Sequence, residues 1–112
     1  MSFRLSCVTH DDLSVSVYFE NFGHWDNFGW IVGLLEEENE CTLLSNDSSE
    51  HFRLAKLTHK EIAFDVWHNY MLGNFLFSAT GQDVDVLMQL AENVIVDVTQ
   101  RLSEKGVILE EQ

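Results

Sequence analysis

Five histidines (His10, His24, His51, His59, His68), two cysteines (Cys7, Cys41) and nineteen Asp and Glu residues are the groups of this chain whose types could do chemistry. The histidines show no HExxH motif, no CxxC and no two-Cys, two-His spacing, so no metal site is expected. His24 with Asp26, or Asp65 with His68, stand close enough in sequence to pair. The second pair is the nearest approach to a small histidine–carboxylate enzyme, although a surface or satisfied core histidine is the plainer reading of each. Gly29-Trp-Ile-Val-Gly33 sits inside an apolar stretch and lacks the Lys of a phosphate loop. The serines fall in turns or on solvent faces with no elbow motif around them. Cys7 and Cys41 lie on expected strands, where a buried small hydrophobe is the default. Carboxylates are numerous enough for a paired-acid hydrolase, but a small sheet offers little cleft for one. No catalytic residue, no cofactor and no enzymatic activity are expected.

What remains is charge. Nineteen acids against six Lys and Arg leave 112 residues with a formal charge of −13. Hydrophobic residues are nevertheless 46% of the chain, with eight Phe, three Trp and two Tyr, enough for a core that a disordered acidic tail lacks. A folded domain with this much like charge repels itself, and a cationic partner would relieve that and be steered toward it. Nucleic acid and anionic membrane are excluded as direct ligands by the same sign. The longest apolar run, Trp30 to Leu35, is far short of a membrane span. Met1 to Val8 is short and mixed, unlike a secretory signal. A cytoplasmic location with two free thiols is the expectation.

Two stretches concentrate the candidate binding residues. Glu36, Glu37, Glu38 and Glu40 form a like-charge run, read either as a solvated hairpin tip or as a docking surface for Lys and Arg. Asp26, Asp47 and Glu50 would join that surface if the loops cluster at one end of the sheet. The loop Phe22-Gly-His-Trp-Asp-Asn-Phe28 sets aromatic rings beside carboxylates, as interface hot spots do. Phe22 and Trp25 are therefore the candidate anchors, the alternative for Trp25 being that it folds back over the sheet.

The elements that must position these residues follow from periodicity. Phe3, Leu5 and Cys7 alternate as a first strand, His10-Asp11-Asp12 turns, and Leu13, Val15, Val17 and Phe19 alternate as a second. Asn21 to Asn27 has the composition of an exposed loop. Gly29 to Glu36 reads as a central strand buried on both faces, and Glu36 to Glu40 as the hairpin tip before a short strand, Cys41 to Leu44. Ser45 to Ser49 is a turn signal. His51 to Leu57 alternates again. Lys60 to His68 fits a helix or a strand and is assigned as strand, with Asn69 to Asn74 turning into Phe75 to Ala79. Val84, Leu87, Met88, Ala91, Val94, Ile95, Val98 and Leu102 trace one helical stripe, started by Thr80 with Asp83 and stopped at Lys105-Gly106. The whole is one α+β domain over residues 1–112. It is an antiparallel sheet of about six strands with one long C-terminal helix packed on one face.

In Val17 to Asp26 (VYFENFGHWD), Glu61 to His68 (EIAFDVWH) and Phe75 to Gly81 (FLFSATG) ahead of the long helix, the chain resembles immunity proteins of bacterial contact-dependent growth inhibition systems. That resemblance implies a non-enzymatic protein that binds and neutralises the C-terminal toxin domain of a sister cell's effector, often a tRNA- or DNA-cleaving nuclease; the sequence itself leaves monomer or homodimer open. A nuclease face that holds phosphate is basic, which suits an acidic inhibitor. The competing expectation is a nucleic-acid mimic that inhibits a host or phage-defence enzyme. A mimic needs carboxylates in long rows, about one charge per ~1.7 Å of duplex axis. Only Glu36 to Glu40 is that dense here.

Overall fold

The chain runs Arg4–Thr9 (β1), Val15–Glu20 (β2), Trp25–Glu38 (α1), Cys41–Ser48 (β3), Phe52–His59 (β4), Ile62–Asn69 (β5), Gly73–Ser78 (β6), a single 3-10 turn Gly81–Asp83, and Val84–Glu104 (α2). This is a computed structural model, and it describes residues 3–104. The six strands form one antiparallel sheet in the order β1-β2-β6-β5-β4-β3. Helix α1 carries the chain from β2 to the far edge, where β3 begins a meander that returns through β4 and β5 until β6 pairs with β2.

Alternation divides the sheet into two unlike faces. Val17, Leu76, Val66 and Ala55 are cross-strand neighbours on the four inner strands, and all are fully buried. Both helices pack on this face. Phe28, Ile31, Val32 and Leu35 of α1 join Leu87, Leu90, Ala91, Val94 and Val98 of α2 in one core with those strand residues. At about 25 cal/mol per Å² of apolar surface removed from water, burial on this face is the main favourable contribution to the fold.

The expected six-stranded antiparallel sheet and long C-terminal helix are both present, and within Lys60 to His68 the stretch from Ile62 is strand, while Lys60 (φ +57°) and Glu61 make the turn before it. Four local readings are corrected. Gly29 to Glu36 is helix, not a central strand: residues 28, 31, 32 and 35 are buried at helical spacing. The loop therefore ends at His24, which caps α1 by accepting the Asp26 amide at Nδ1, 3.1 Å away. Glu36 to Glu38 make the last turn of α1 rather than a hairpin tip, with Asn39 as C-cap. Asn39 Nδ2 donates to the Leu34 carbonyl and its Oδ1 accepts from Asn93 Nδ2 on α2 (both 3.0 Å), so the buried end of α1 is satisfied and tied to its neighbour. Strand β3 runs through the supposed turn at Ser45 to Ser48, with a register shift between Leu43 and Ser45 that leaves Leu44 exposed. Finally, Leu13 is not a strand residue: it sits exposed at φ +70° in the β1–β2 turn, which Asp12 closes by accepting from the Ser14 amide and hydroxyl. The Thr80 start is as expected, its hydroxyl accepting from the Gln82 amide, while the Lys105-Gly106 stop lies outside the described residues.

Candidate functional site

The residues singled out from sequence do not form one patch. Phe22 is 4% exposed, packed edge-on against Phe3 and tilted against Trp30, so it belongs to the core and offers no anchor surface. Trp25 is 37% exposed at the start of α1, with its ring edge against His68 and the Arg53 guanidinium 5.3 Å over it. Arg53 also donates to the Trp25 carbonyl at 3.3 Å, which places the start of α1 beside the start of β4. Asp26, Asp47 and Glu50 share that end of the sheet and are exposed, but they do not join the Glu36 to Glu40 surface as expected. Glu36, Glu37, Glu38 and Glu40 are exposed too, but at the opposite end, where α1 hands over to β3. A helix of fourteen residues separates the two groups by about 20 Å.

Three glutamates at the C-terminus of a helix oppose its dipole, and the last turn of α1 contains no basic residue. Arg101 of α2 offsets this at one point, meeting Glu38 at 3.2 Å. Glu38 borders two polar concavities of about 510 and 490 Å³, the first also bounded by Trp30, Asp97 and Arg101 and the second by Glu40.

The suggested histidine–carboxylate pairs resolve differently. His24 Nδ1 lies 3.6 Å from Asp26, both side chains exposed, but as acceptor of the Asp26 amide that nitrogen carries no proton and the contact is not an ion pair in this tautomer. Asp65 and His68 are three residues apart on β5 and so face opposite sides of the sheet. His68 is buried on the helix side, where Nδ1 meets Asn74 Oδ1 at 2.8 Å. Asn74 Nδ2 in turn donates to the Phe22 and His24 carbonyls, fixing the approach to α1. This network is structural. The cysteines also part company: Cys41 is buried, and burial with the nearby Glu36 charge pushes its thiol up to about 11, whereas Cys7 is exposed on edge strand β1 and is not the buried residue its alternation implied. Among the described residues no three His, Cys, Asp or Glu side chains cluster as a metal site. No helix among them is long and apolar enough to cross a membrane.

The feature not read from sequence is the other face of the sheet, which no helix covers. Tyr18, Phe75, Trp67 and Leu54 are successive cross-strand neighbours there, and Asp47 continues the row onto β3. Tyr18 and Phe75 ring centroids are 5.0 Å apart, Phe75 and Trp67 are parallel within 9° at 6.5 Å, and Phe52 meets Trp67 at 5.8 Å. All four aromatic residues are half-buried. Phe77, Asp65 and Lys56 form the adjacent row. A shallow, mainly apolar concavity of about 380 Å³ lies among His10, Tyr18, Trp67, Leu72, Phe75 and Phe77. Beside it the β5–β6 turn displays Tyr70, Met71 and Leu72, with Met71 77% exposed. Asp65 is the carboxylate within this apolar ground. Burial raises its pKa above the usual carboxylate value, against the opposing pull of Lys56 and the Trp67 side chain. The signal was present as the second phase of each alternation: Tyr18, Trp67, Phe75 and Phe77 occupy positions where a solvated face would be polar.

No protein-family model matches this chain, and neither a characterised protein nor a solved structure is significantly similar to it.

Proposed function

We propose that this chain is a toxin immunity protein that binds a cognate cationic toxin domain through the aromatic face of its sheet as well as its acidic residues. The observation that carries the reading is that uncovered face: a row of aromatic rings on a protein of net charge −13, with one carboxylate inside the row's border and others around the molecule. Contiguous exposed apolar surface on a small soluble domain marks an interaction site more often than an accident of packing. Aromatic anchors supply affinity by desolvation, and the surrounding carboxylates set association rate and partner choice. The resemblance to contact-dependent growth inhibition immunity proteins names the kind of partner, and a nuclease domain with a phosphate-binding face has the complementary sign. Cytoplasmic residence follows from that role.

Nucleic-acid mimicry is the weaker reading. Glu36 to Glu40 and the Asp26, Asp47, Glu50 group stand at opposite ends rather than in a row, and an aromatic face has no counterpart in a phosphate backbone. The test is co-expression with the domain encoded at the 3′ end of the gene immediately upstream. Toxicity abolished by this protein, with a one-to-one complex of near-nanomolar affinity, about −12 kcal/mol, is the expected result. No toxicity and no complex would reject it.

A further inference from the structure

We infer that the centre of the open sheet face is an arginine-reading subsite, in which Asp65 accepts a partner guanidinium that lies over the rings of Trp67, Phe75 and Phe77. The inference rests on the immunity reading only for the identity of the partner; the subsite itself is argued from geometry. Asp65 is the direct register neighbour of Phe77 on β6 and of Lys56 on β4, and stands two residues from Trp67 on the same face. It is half-buried beside Trp67, whose side chain hydrogen-bonds it, and Arg101–Glu38, the Arg or Lys ion pair among the described residues, does not include it. Lys56 therefore faces Asp65 across the strand pair without closing on it, and is itself exposed. A carboxylate kept on an apolar face without a close counter-ion costs stability, and burial has raised its pKa accordingly. An incoming cation would remove that cost.

Guanidinium fits this place better than ammonium. It is planar, weakly hydrated and able to lie on an aromatic face while donating in-plane to a carboxylate, whereas the lysine head is a compact, strongly hydrated charge. The chain already uses this contact elsewhere: Arg53 lies 4.5 Å over Phe28 and 5.3 Å over Trp25 on the helix side. A second copy of the chain is disfavoured as occupant, since pairing two such faces would bring together two molecules of charge −13.

The experiment titrates the full chain, labelled with ¹⁵N, with two amidated octapeptides in which glycine alternates with arginine or with lysine. The arginine peptide is expected to bind more tightly, with shifts centred on the Trp67 indole N–H and the amides of Asp65 and Phe77. Asp65→Asn should weaken the arginine peptide by roughly fivefold or more, the loss of a charge-assisted hydrogen bond, and remove its advantage over lysine. Lys56→Gln should strengthen it, because a competing cation has gone. That opposite sign is a readout a merely structural Asp65 would not produce. Equal binding of the two peptides, no binding, shifts centred on Glu36 to Glu40, or self-association of the chain through this face would each overturn the subsite. Co-expression separates the two claims. Arginine-selective binding without neutralisation of the upstream domain would leave the subsite standing and remove the immunity reading. Neutralisation undiminished by Asp65→Asn would do the reverse.

Discussion

Single side chains here divide by the face they occupy, and their chemistry follows. Cys41 is held under the helices near Glu36, its thiol pushed up to about 11, while Cys7 lies exposed on β1. Because only the thiolate reacts, a native-state thiol titration should label Cys7 and leave Cys41 until the protein unfolds. Labelling of both at equal rates would contradict this burial. Asp65 makes the complementary case for pH. Its folded-state pKa is raised, so it contributes no penalty in acid, where the carboxyl is neutral in both states. As pH rises through the raised value, the folded state must ionise a half-buried group and stability falls. Asp65→Asn cannot ionise, so its melting temperature should match the wild type in acid and exceed it at neutral pH. A variant less stable than wild type at neutral pH would show that the Trp67 hydrogen bond and the Lys56 charge outweigh the cost of burial.

At the scale of elements, the glycines report where backbone freedom is required. Gly73 opens β6 at φ +77°, and a Cβ there would lie 3.0 Å from the Gly23 Cα, so strand and helix approach meet backbone to backbone. Gly73→Ala should cost about 1–3 kcal/mol through strain alone. Gly29 and Gly33 are different: a Cβ at either meets nothing within 4 Å, and both lie inside α1. Replacing each with Ala should stabilise the protein by about 0.5–1 kcal/mol, measured by denaturant unfolding. Those same glycines explain why the sequence pattern points to a strand where α1 lies. A short apolar run, Trp30 to Leu35, looks alike in a buried strand and a buried helix, and two glycines with an unusual His24 cap hid the helical spacing of Phe28, Ile31, Val32 and Leu35. Elements whose patterns have one answer are legible: α2 shows a long stripe, and β2 alternates cleanly. The candidate site was legible only in part. Charge type was read correctly, but whether Phe22 points into the core or Trp67 onto an open face depends on which sheet face the helices choose, and pairing partners decide that.

For the whole molecule, candidate carboxylates stand at both ends of α1 while the aromatic row is confined to the open face of the sheet. Charge and anchoring should therefore separate in kinetics. Changing Glu36, Glu37, Glu38 and Glu40 together to Gln should slow association with the toxin domain and flatten its salt dependence, with little change in dissociation, because these groups act at a distance from the aromatic row. Fast dissociation of that variant would instead place the end of α1 inside the interface. The most direct measurement is protection of growth against the upstream toxin domain by Trp67→Thr and Phe75→Thr, substitutions that keep strand propensity on a half-exposed face. With circular dichroism and unfolding confirming the fold, the account predicts that protection and complex formation are lost in these variants. Full protection by the folded variants would contradict it.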